Sequence, residues 1–240
     1  YNAMGVELRQ GYGLTETSPV ISVNRENCNN PVTVGQPIPG LQIRLGDIEE
    51  LQVKGPTVMK GYWKRPDATA EVFTEDGWFR TGDQADLSDA GRIRIKGRIK
   101  EIIVTSTGEK IPPTDMELAI QTDPLFEQVM VVGEARPFIT ALAVVNEAEW
   151  EKFAKEFNVD PSDDRMLMRR DIRMAALKRL KKAASRFPQY GIPRNIRLLK
   201  EHWTVDNGCL TVTMKLRRPI IREKLRAEID ELYTVPQNNV

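Results

Sequence analysis

Polar and apolar residues alternate along three short stretches in the first part of the chain, 41–45, 51–54 and 92–96. A period of two predicts β-strands that bury one face and expose the other. Glycine, proline and aspartate separate these stretches and mark turns, and residues 66–73 predict one short helix. Many short strands with frequent turns favour a distorted, barrel-like sheet over residues 1–97, or a sheet appended to a larger domain.

The hydrophobic pattern changes at residue 98, where longer helical stretches begin to alternate with strands. The predicted elements are strands 102–104, 129–132, 140–145 and 196–199, and helices 114–121, 147–157, 163–187 and 219–233. This pattern indicates a small α+β domain that follows the β-rich region. The polar residues 235–240 are expected to fray.

The composition excludes several classes of site. The chain has 240 residues, a net charge of +1 and 40% hydrophobic residues, so it can bury a core and shows no global preference for nucleic acid. Cys28 and Cys209 are too few for a disulfide framework or a thiolate metal cluster. His202 is the only histidine and there is no Gly-x-Ser-x-Gly motif, so a general base has to be a carboxylate or a lysine.

The chain opens with Tyr1 instead of methionine, and a glycine-rich block follows almost at once. Such a block usually sits on a loop after a strand, and little chain precedes it here. We therefore expect the sequence to be the C-terminal part of a longer protein. No apolar run approaches the roughly 20 residues that a membrane-spanning helix needs, and no signal peptide is recognised.

The glycine-rich block contains Gly11, Tyr12 and Gly13, and Thr15 and Glu16 follow it. Two glycines let the backbone approach a planar ligand on which the tyrosine ring stacks. A hydroxyl can bond a phosphate oxygen, and a carboxylate can hold Mg²⁺ against that phosphate. Taken alone, the block is explained more simply by a turn with a buried tyrosine.

Three further motifs have both a chemical and a structural interpretation. Asp83 follows a glycine turn and can accept hydrogen bonds from vicinal hydroxyls, or cap the turn. The charged stretch 96–111 lies where the two patterns meet and suits a hinge, or an ordinary strand with charged turns. Lys215 lies on a polar loop and can reach a phosphate as a point charge, or remain solvated.

The motifs occur in the order Gly-Tyr-Gly-Leu-Thr-Glu, Arg-Thr-Gly-Asp, Gly-Arg-Ile-Lys-Glu and Thr-x-Lys-Leu-Arg-Arg. In this order the whole chain resembles the adenylate-forming enzymes, and the last two motifs are most similar to those of long-chain fatty-acid–CoA ligases. The resemblance implies a mixed α/β and α+β fold. Residues 1–97 would be the C-terminal part of the large AMP-binding domain, 98–103 the hinge, and 104–240 the small, mobile C-terminal domain.

The resemblance also implies roles for individual residues. Those implied for ATP are Gly11, Tyr12 and Gly13 at adenine, Thr15 at the α-phosphate, Glu16 at Mg²⁺, and Asp83 and Arg98 at the ribose. Lys100 is implied to be the hinge residue and Lys215 the catalytic lysine of adenylation. Residues 106–110, which include Gly108, would line the path of the CoA pantetheine. Val212 stands where long-chain ligases tend to have proline, which predicts a less rigid loop.

The implied reaction joins a long-chain fatty acid to CoA through an acyl-adenylate, with ATP and Mg²⁺, and releases pyrophosphate and AMP. The phosphate-binding loop and the acyl tunnel of the family would precede residue 1, so the chain alone is expected to be inactive. Two alternatives stay open: an enzyme that adenylates an aryl or amino acid, and an inactive binding homologue.

The expected partners are the substrates, with no nucleic acid, and a homodimer is left open. The expected location is the cytoplasm, with at most peripheral contact at the inner face of a membrane. Within helix 163–187 an apolar stripe is predicted to be buried; it consists of Met168, Ile172, Ala176, Leu180 and Ala183. The basic residues on the other faces either are solvated or bind CoA phosphates or anionic lipid.

Overall fold

A computed structural model describes residues 4–234. The chain divides into two compact units, Tyr1–Glu101 and Ile102–Val240. The division falls within the stretch 98–103 for which the sequence predicts a hinge. The predicted frayed tail, 235–240, lies outside the described residues.

Seven strands form two antiparallel sheets within residues 4–101 of the first unit. They are β1 Gly11–Gly13, β2 Val20–Val23, β3 Gln36–Pro37, β4 Gln42–Leu45, β5 Glu50–Lys54, β6 Phe79–Asp89 and β7 Arg92–Arg98, with helix α1 Pro66–Val72 between β5 and β6. The sheet orders are β1-β2-β3 and β4-β5-β6-β7.

Backbone hydrogen bonds join the two sheets of the first unit. The N–H of Val34 donates to the carbonyl of Ile93 at 2.8 Å, and the N–H of Ile93 donates to the carbonyl of Gly35 at 2.8 Å. Ile21, Leu51 and Ile93 are fully buried between the sheets. The curled, barrel-like arrangement predicted for this region is therefore present.

The second unit is a three-layer arrangement around a sheet with the order β10-β11-β12. Its strands are β8 Ile103–Val104, β9 Lys110–Ile111, β10 Phe126–Val132, β11 Thr140–Val145 and β12 Asn195–Leu199. Its helices are α2 Pro113–Ile120, α3 Glu147–Glu156, α4 Arg170–Ala183, α5 Arg218–Lys224 and α6 Arg226–Thr234. β10 and β11 are antiparallel, whereas β11 and β12 are parallel.

Every residue of β11 is buried, because helices cover both faces of the sheet. Ala141 and Ala143 face the core that α2, α3 and α4 complete, whereas Leu142 and Val144 face the core that α5 and α6 complete. Asn146 begins α3 as its N-cap, and its side chain accepts a 3.2 Å hydrogen bond from the N–H of Glu149. The fold class predicted from the sequence is confirmed.

The helix predicted over 163–187 is wrong in extent. A short 3₁₀ helix, Asp164–Met168, comes first, and the extended backbone of Arg169 (ψ 134°) separates it from α4. Ile172, Ala176 and Leu180 are buried as predicted. Met168 lies before the break, so it is 39% exposed.

Two further elements differ from the sequence prediction. The helix predicted over 219–233 is divided at Leu225, whose φ of −107° and ψ of 28° end α5, while its side chain packs against the core. The eleven-residue strand β6 was not predicted, because Gly82 (φ +71°) and several polar residues interrupt its alternation.

Candidate functional site

The glycine-rich block lies in a strand instead of a loop, since β1 pairs with β2. The register shifts between Tyr12 and Gly13, which brings the backbone of Gly13 against Pro19. A Cβ atom at position 13 would lie 1.7 Å from the carbonyl oxygen of Pro19, so only glycine fits there. At Gly11 the corresponding distance to the carbonyl oxygen of Ser22 is 3.2 Å, which is tight but less severe.

Three of the residues predicted to contact adenosine meet in the first unit. The hydroxyl of Tyr12 donates to Oδ2 of Asp83, and Nε of Arg98 forms an ion pair with Oδ1 of Asp83 at 2.9 Å. Asp83 and Arg98 are cross-strand partners on β6 and β7. The N–H of Asp83 donates to Oγ1 of Thr81 at 3.1 Å, and Asp83 is only 4% exposed. The sheet pairing therefore presents one buried carboxylate to a tyrosine and an arginine.

Burial, followed by the negative charge of Asp83, raises the pKa of Tyr12 above its ordinary value. The phenol therefore stays protonated and remains a donor to the carboxylate at neutral pH. The side chain of Arg98 is 45% exposed, so the cationic side of this cluster faces solvent.

Thr15 and Glu16 lie on the 3₁₀ helix Thr15–Thr17 directly after β1. The hydroxyl of Thr17 holds this turn, because it donates to the carbonyl of Leu14 at 2.9 Å and accepts from the N–H of Leu14 at 3.1 Å. The side chain of Thr15 is exposed, and that of Glu16 is half-buried.

Tyr62 is a neighbour of Glu16 that the sequence analysis missed. Its hydroxyl donates to Oε1 of Glu16 at 2.8 Å, and burial together with this hydrogen bond raises the pKa of Tyr62. The N–H of Met59 donates to the backbone carbonyl of Glu16 at 2.8 Å. Because 46 residues separate the two side chains, no local pattern could have revealed this contact.

A Mg²⁺ ion that arrives with a nucleotide is compatible with Glu16. Within residues 4–234, no group of three or more histidine, cysteine, aspartate or glutamate side chains could hold a metal ion. Mg²⁺ commonly binds through one or two carboxylates together with substrate phosphates, and it does not require such a group. Tyr62 holds one carboxylate oxygen of Glu16, which orients the other.

Lys215 lies in the second unit, on a small hairpin whose two sides meet at the Leu210–Leu216 bridge. The N–H of Lys215 donates to Oγ1 of Thr211 at 3.1 Å, and the N–H of Thr211 donates to the carbonyl of Lys215 at 2.9 Å. The tip exposes two apolar side chains, Val212 (86%) and Met214 (67%). Leu210 is buried in the core, so the base of the hairpin is fixed while Lys215 itself is exposed.

Residues 106–109 lie in the turn between β8 and β9, and Lys110 begins β9. Thr105 closes the turn, since its Oγ1 accepts from the N–H of Glu109 at 3.1 Å, and Gly108 adopts a φ of +84°. Lys100 is exposed on the 3₁₀ helix Ile99–Glu101 at the end of the first unit. The roles predicted for Lys100, Gly108 and Lys215 stay predictions.

Two family models match the chain. The model described as AMP-binding enzyme matches residues 1–63, and the model described as AMP-binding enzyme C-terminal domain matches residues 100–236. Within residues 4–234, no helix is long and apolar enough to cross a membrane.

Two relatives are fatty-acid ligases by name. The long-chain-fatty-acid–CoA ligase FadD15 of Mycobacterium bovis is 36% identical over 97% of this chain and 39% of that protein. The chloroplastic long-chain-fatty-acid–[acyl-carrier-protein] ligase AEE15 of Arabidopsis thaliana is 33% identical over 98% of this chain and 33% of that protein. The chain thus spans less than two-fifths of the length of either relative.

A solved structure has a similar fold. It is the A domain of the carboxylic acid reductase from Segniliparus rugosus, in complex with AMP and a co-purified carboxylic acid. The TM-score is 0.75 and the identity 27%, over 96% of this chain and 36% of that one.

Proposed function

Because the chain belongs to the AMP-binding enzymes, the adenylate-forming superfamily, we propose that it is the C-terminal part of an ATP-dependent acid–thiol ligase. The whole protein would activate a long-chain fatty acid as an acyl-adenylate and then transfer the acyl group to CoA. The observation that carries this proposal is the buried Asp83 carboxylate, held by Tyr12 and Arg98 in the unit that also contains Thr15 and Glu16.

In this proposal Asp83 recognises the ribose. A carboxylate offers about four acceptor positions, so it can receive ligand hydroxyls in addition to the donors already present. Asp83 is 4% exposed, and a diol therefore reaches it only when Tyr12 or Arg98 gives way. Arg98 is the more exposed of the two and is the side chain we expect to move. The ring of Tyr12, flanked by Gly11 and Gly13, would then lie against adenine.

Thr15 and Glu16 would bind the phosphate end of the nucleotide. The exposed hydroxyl of Thr15 is free to donate to an α-phosphate oxygen, and Glu16 would hold Mg²⁺ through the oxygen that Tyr62 leaves available. Mg²⁺, when bound, offsets the negative charge that the fatty-acid carboxylate meets at the α-phosphate.

Lys215 would supply the second positive charge for adenylation. In that step a carboxylate oxygen bonds to the α-phosphorus as the bond to pyrophosphate breaks, and an ammonium offsets the charge that develops there. In the second step the thiol sulfur of CoA bonds to the acyl carbon, AMP leaves with the bonding electron pair, and the thiol proton passes to solvent. Residues 106–110 with Gly108 would serve this step, and Lys100 would be the hinge residue.

The names of both relatives support a long-chain fatty acid as the substrate, and the name of FadD15 supports CoA as the acceptor. A different carboxylic acid is the second candidate, and the carboxylic acid bound by the reductase A domain supports it. A cytoplasmic location, peripheral contact with the inner face of a membrane and a homodimer remain predictions.

The test is to incubate the whole protein with ATP, Mg²⁺, CoA and, in parallel, a long-chain fatty acid, an aryl acid or an amino acid. We expect acyl-CoA, AMP and pyrophosphate in equal amounts, with turnover fastest for the fatty acid. Formation of ADP would overturn the reaction class, and faster turnover of an aryl or amino acid would overturn the substrate class.

A further inference from the structure

A buried ion pair joins helix α2 to the start of helix α5 in the second unit. Nη1 and Nη2 of Arg218 donate to Oε1 and Oε2 of Glu117 at 2.7 and 2.6 Å. The side chains are 15% and 7% exposed. The two parallel hydrogen bonds define the orientation of the guanidinium as well as its position.

Glu117 also holds the central sheet. Its Oε1 accepts a 2.7 Å hydrogen bond from the N–H of Val131 on β10. One carboxylate therefore ties α2, the sheet and the beginning of α5 together. Buried ion pairs contribute little net stability compared with apolar replacements. A bidentate arginine–carboxylate pair does, however, add geometric specificity.

The geometry that this pair specifies includes the hairpin of Lys215. Arg218 follows Lys215 by three residues, and the N–H of Arg217 donates to the carbonyl of Cys209 at 2.8 Å. The N–H of Leu210 donates to the carbonyl of Thr204 at 2.9 Å, whereas residues 211–215 hydrogen-bond to one another, and the tip exposes Val212 and Met214. The position of Lys215 thus depends on how firmly the base of the hairpin is held.

We propose that Glu117 and Arg218 are positioning residues, which anchor the hairpin that presents Lys215. This inference rests on the proposed role of Lys215 in adenylation. Neither side chain is expected to touch substrate. Their effect would appear in the adenylation step alone, because only that step uses Lys215.

The chain offers a matched control in Asp123 and Arg179. Nη2 and Nε of Arg179 donate to Oδ1 and Oδ2 of Asp123 at 2.6 and 2.9 Å, and Asp123 Oδ1 also accepts from the N–H of Leu125 at 3.0 Å. This pair has the same chemistry as Glu117 and Arg218, but it joins α4 to the turn after α2 and is remote in sequence from Lys215.

The first experiment measures amide hydrogen exchange in the 240-residue chain and uses no substrate. Glu117→Gln keeps an acceptor for Val131 but places an amide donor against Arg218. We expect exchange at Thr211 and Arg217 to accelerate by about tenfold, through local opening of the hairpin. Asp123→Asn should leave both amides unchanged. Equal acceleration in both variants, or none in Glu117→Gln, would overturn the anchor.

The second experiment measures the two half-reactions of the whole protein. Glu117→Gln should lower kcat for adenylation by about tenfold with the KM for ATP unchanged, and should leave thioester formation from supplied acyl-adenylate intact. Arg218→Lys keeps the charge and one hydrogen bond, so its loss should be smaller. Arg218→Lys also tests the ion pair if Glu117→Gln does not fold.

Lys215→Ala separates the two proposals. If Lys215→Ala impairs adenylation but Glu117→Gln and Arg218→Lys behave like Asp123→Asn, the anchor is wrong and the proposed function stands. If Lys215→Ala leaves adenylation intact, the proposed role of Lys215 is wrong, and the hydrogen-exchange result still decides whether Glu117 holds the hairpin.

Discussion

Replacing Tyr12 by phenylalanine tests the buried cluster around Asp83. The substitution keeps the aromatic ring and removes only the hydroxyl that donates to Asp83. A hydrogen bond to a charged group contributes about 1.5–3 kcal/mol, and the 4% exposure of Asp83 leaves water little opportunity to replace it. We therefore expect Tyr12→Phe to destabilise the first unit by about 2 kcal/mol at neutral pH.

The same substitution has a pH signature. Because burial and Asp83 raise the pKa of Tyr12 in the folded state, the unfolded chain loses the phenolic proton first, at about pH 10. Tyr12 thus stabilises the fold fully below that pH, and its contribution falls as the pH rises further. The difference between wild type and Tyr12→Phe should shrink by about 1.4 kcal/mol per pH unit above about pH 10.

The assay is urea unfolding followed by fluorine NMR of the fluorotryptophan-labelled chain, in which the signal of Trp78 reports on the first unit. The two proteins are identical at every other position, so the contributions of the remaining residues cancel in the difference. A destabilisation below about 0.5 kcal/mol at neutral pH, or one that is the same at about pH 8 and about pH 11, would refute the reasoning.

Three further outcomes are expected. Gly13→Ala should weaken AMP binding and lower the melting temperature of the first unit, because its Cβ would lie 1.7 Å from the Pro19 carbonyl oxygen; unchanged calorimetry would contradict this. Lys215→Ala in the whole protein should raise the activation free energy of adenylation by about 3–4 kcal/mol and leave the rate of thioester formation unchanged. Equal losses of rate in both steps would show that Lys215 has a structural role. The 240-residue chain alone should exchange no labelled pyrophosphate into ATP and should bind AMP weakly at best. A micromolar affinity for MgATP would contradict the proposal that the ATP site also needs residues that precede this chain.

Local pattern predicted the elements whose side chains alternate regularly. The stretches 41–45, 51–54 and 92–96 lie in or overlap β4, β5 and β7. The continuous, almost wholly apolar run 140–145 is β11, whose residues are all buried. Strand β6 was not predicted, because Gly82, with its positive φ, and several polar residues interrupt the alternation of polar and apolar side chains. The interruption of the helix at Arg169 was not predicted, because the residues around it are basic and favour a helix.

For the candidate site as well, the sequence motifs identified individual residues but not the contacts between distant ones. Tyr12, Asp83 and Arg98 were selected from separate motifs, and the sheet pairing brings them together. The contacts Tyr62–Glu16 and Arg218–Glu117 were not foreseen, because 46 and 101 residues separate the partners. Pairings of that kind depend on tertiary structure and leave no periodic trace in the chain.

The central claim is that the whole protein activates a carboxylic acid by forming an adenylate. Its most direct measurement uses a long-chain fatty acid whose carboxylate oxygens carry heavy isotope, together with ATP, Mg²⁺ and CoA, and follows the label by mass spectrometry. Attack of the carboxylate on the α-phosphorus predicts that one heavy oxygen appears in AMP for each acyl-CoA formed. Heavy oxygen in inorganic phosphate with ADP as the nucleotide product, or acyl-CoA formed with unlabelled AMP, would contradict the account.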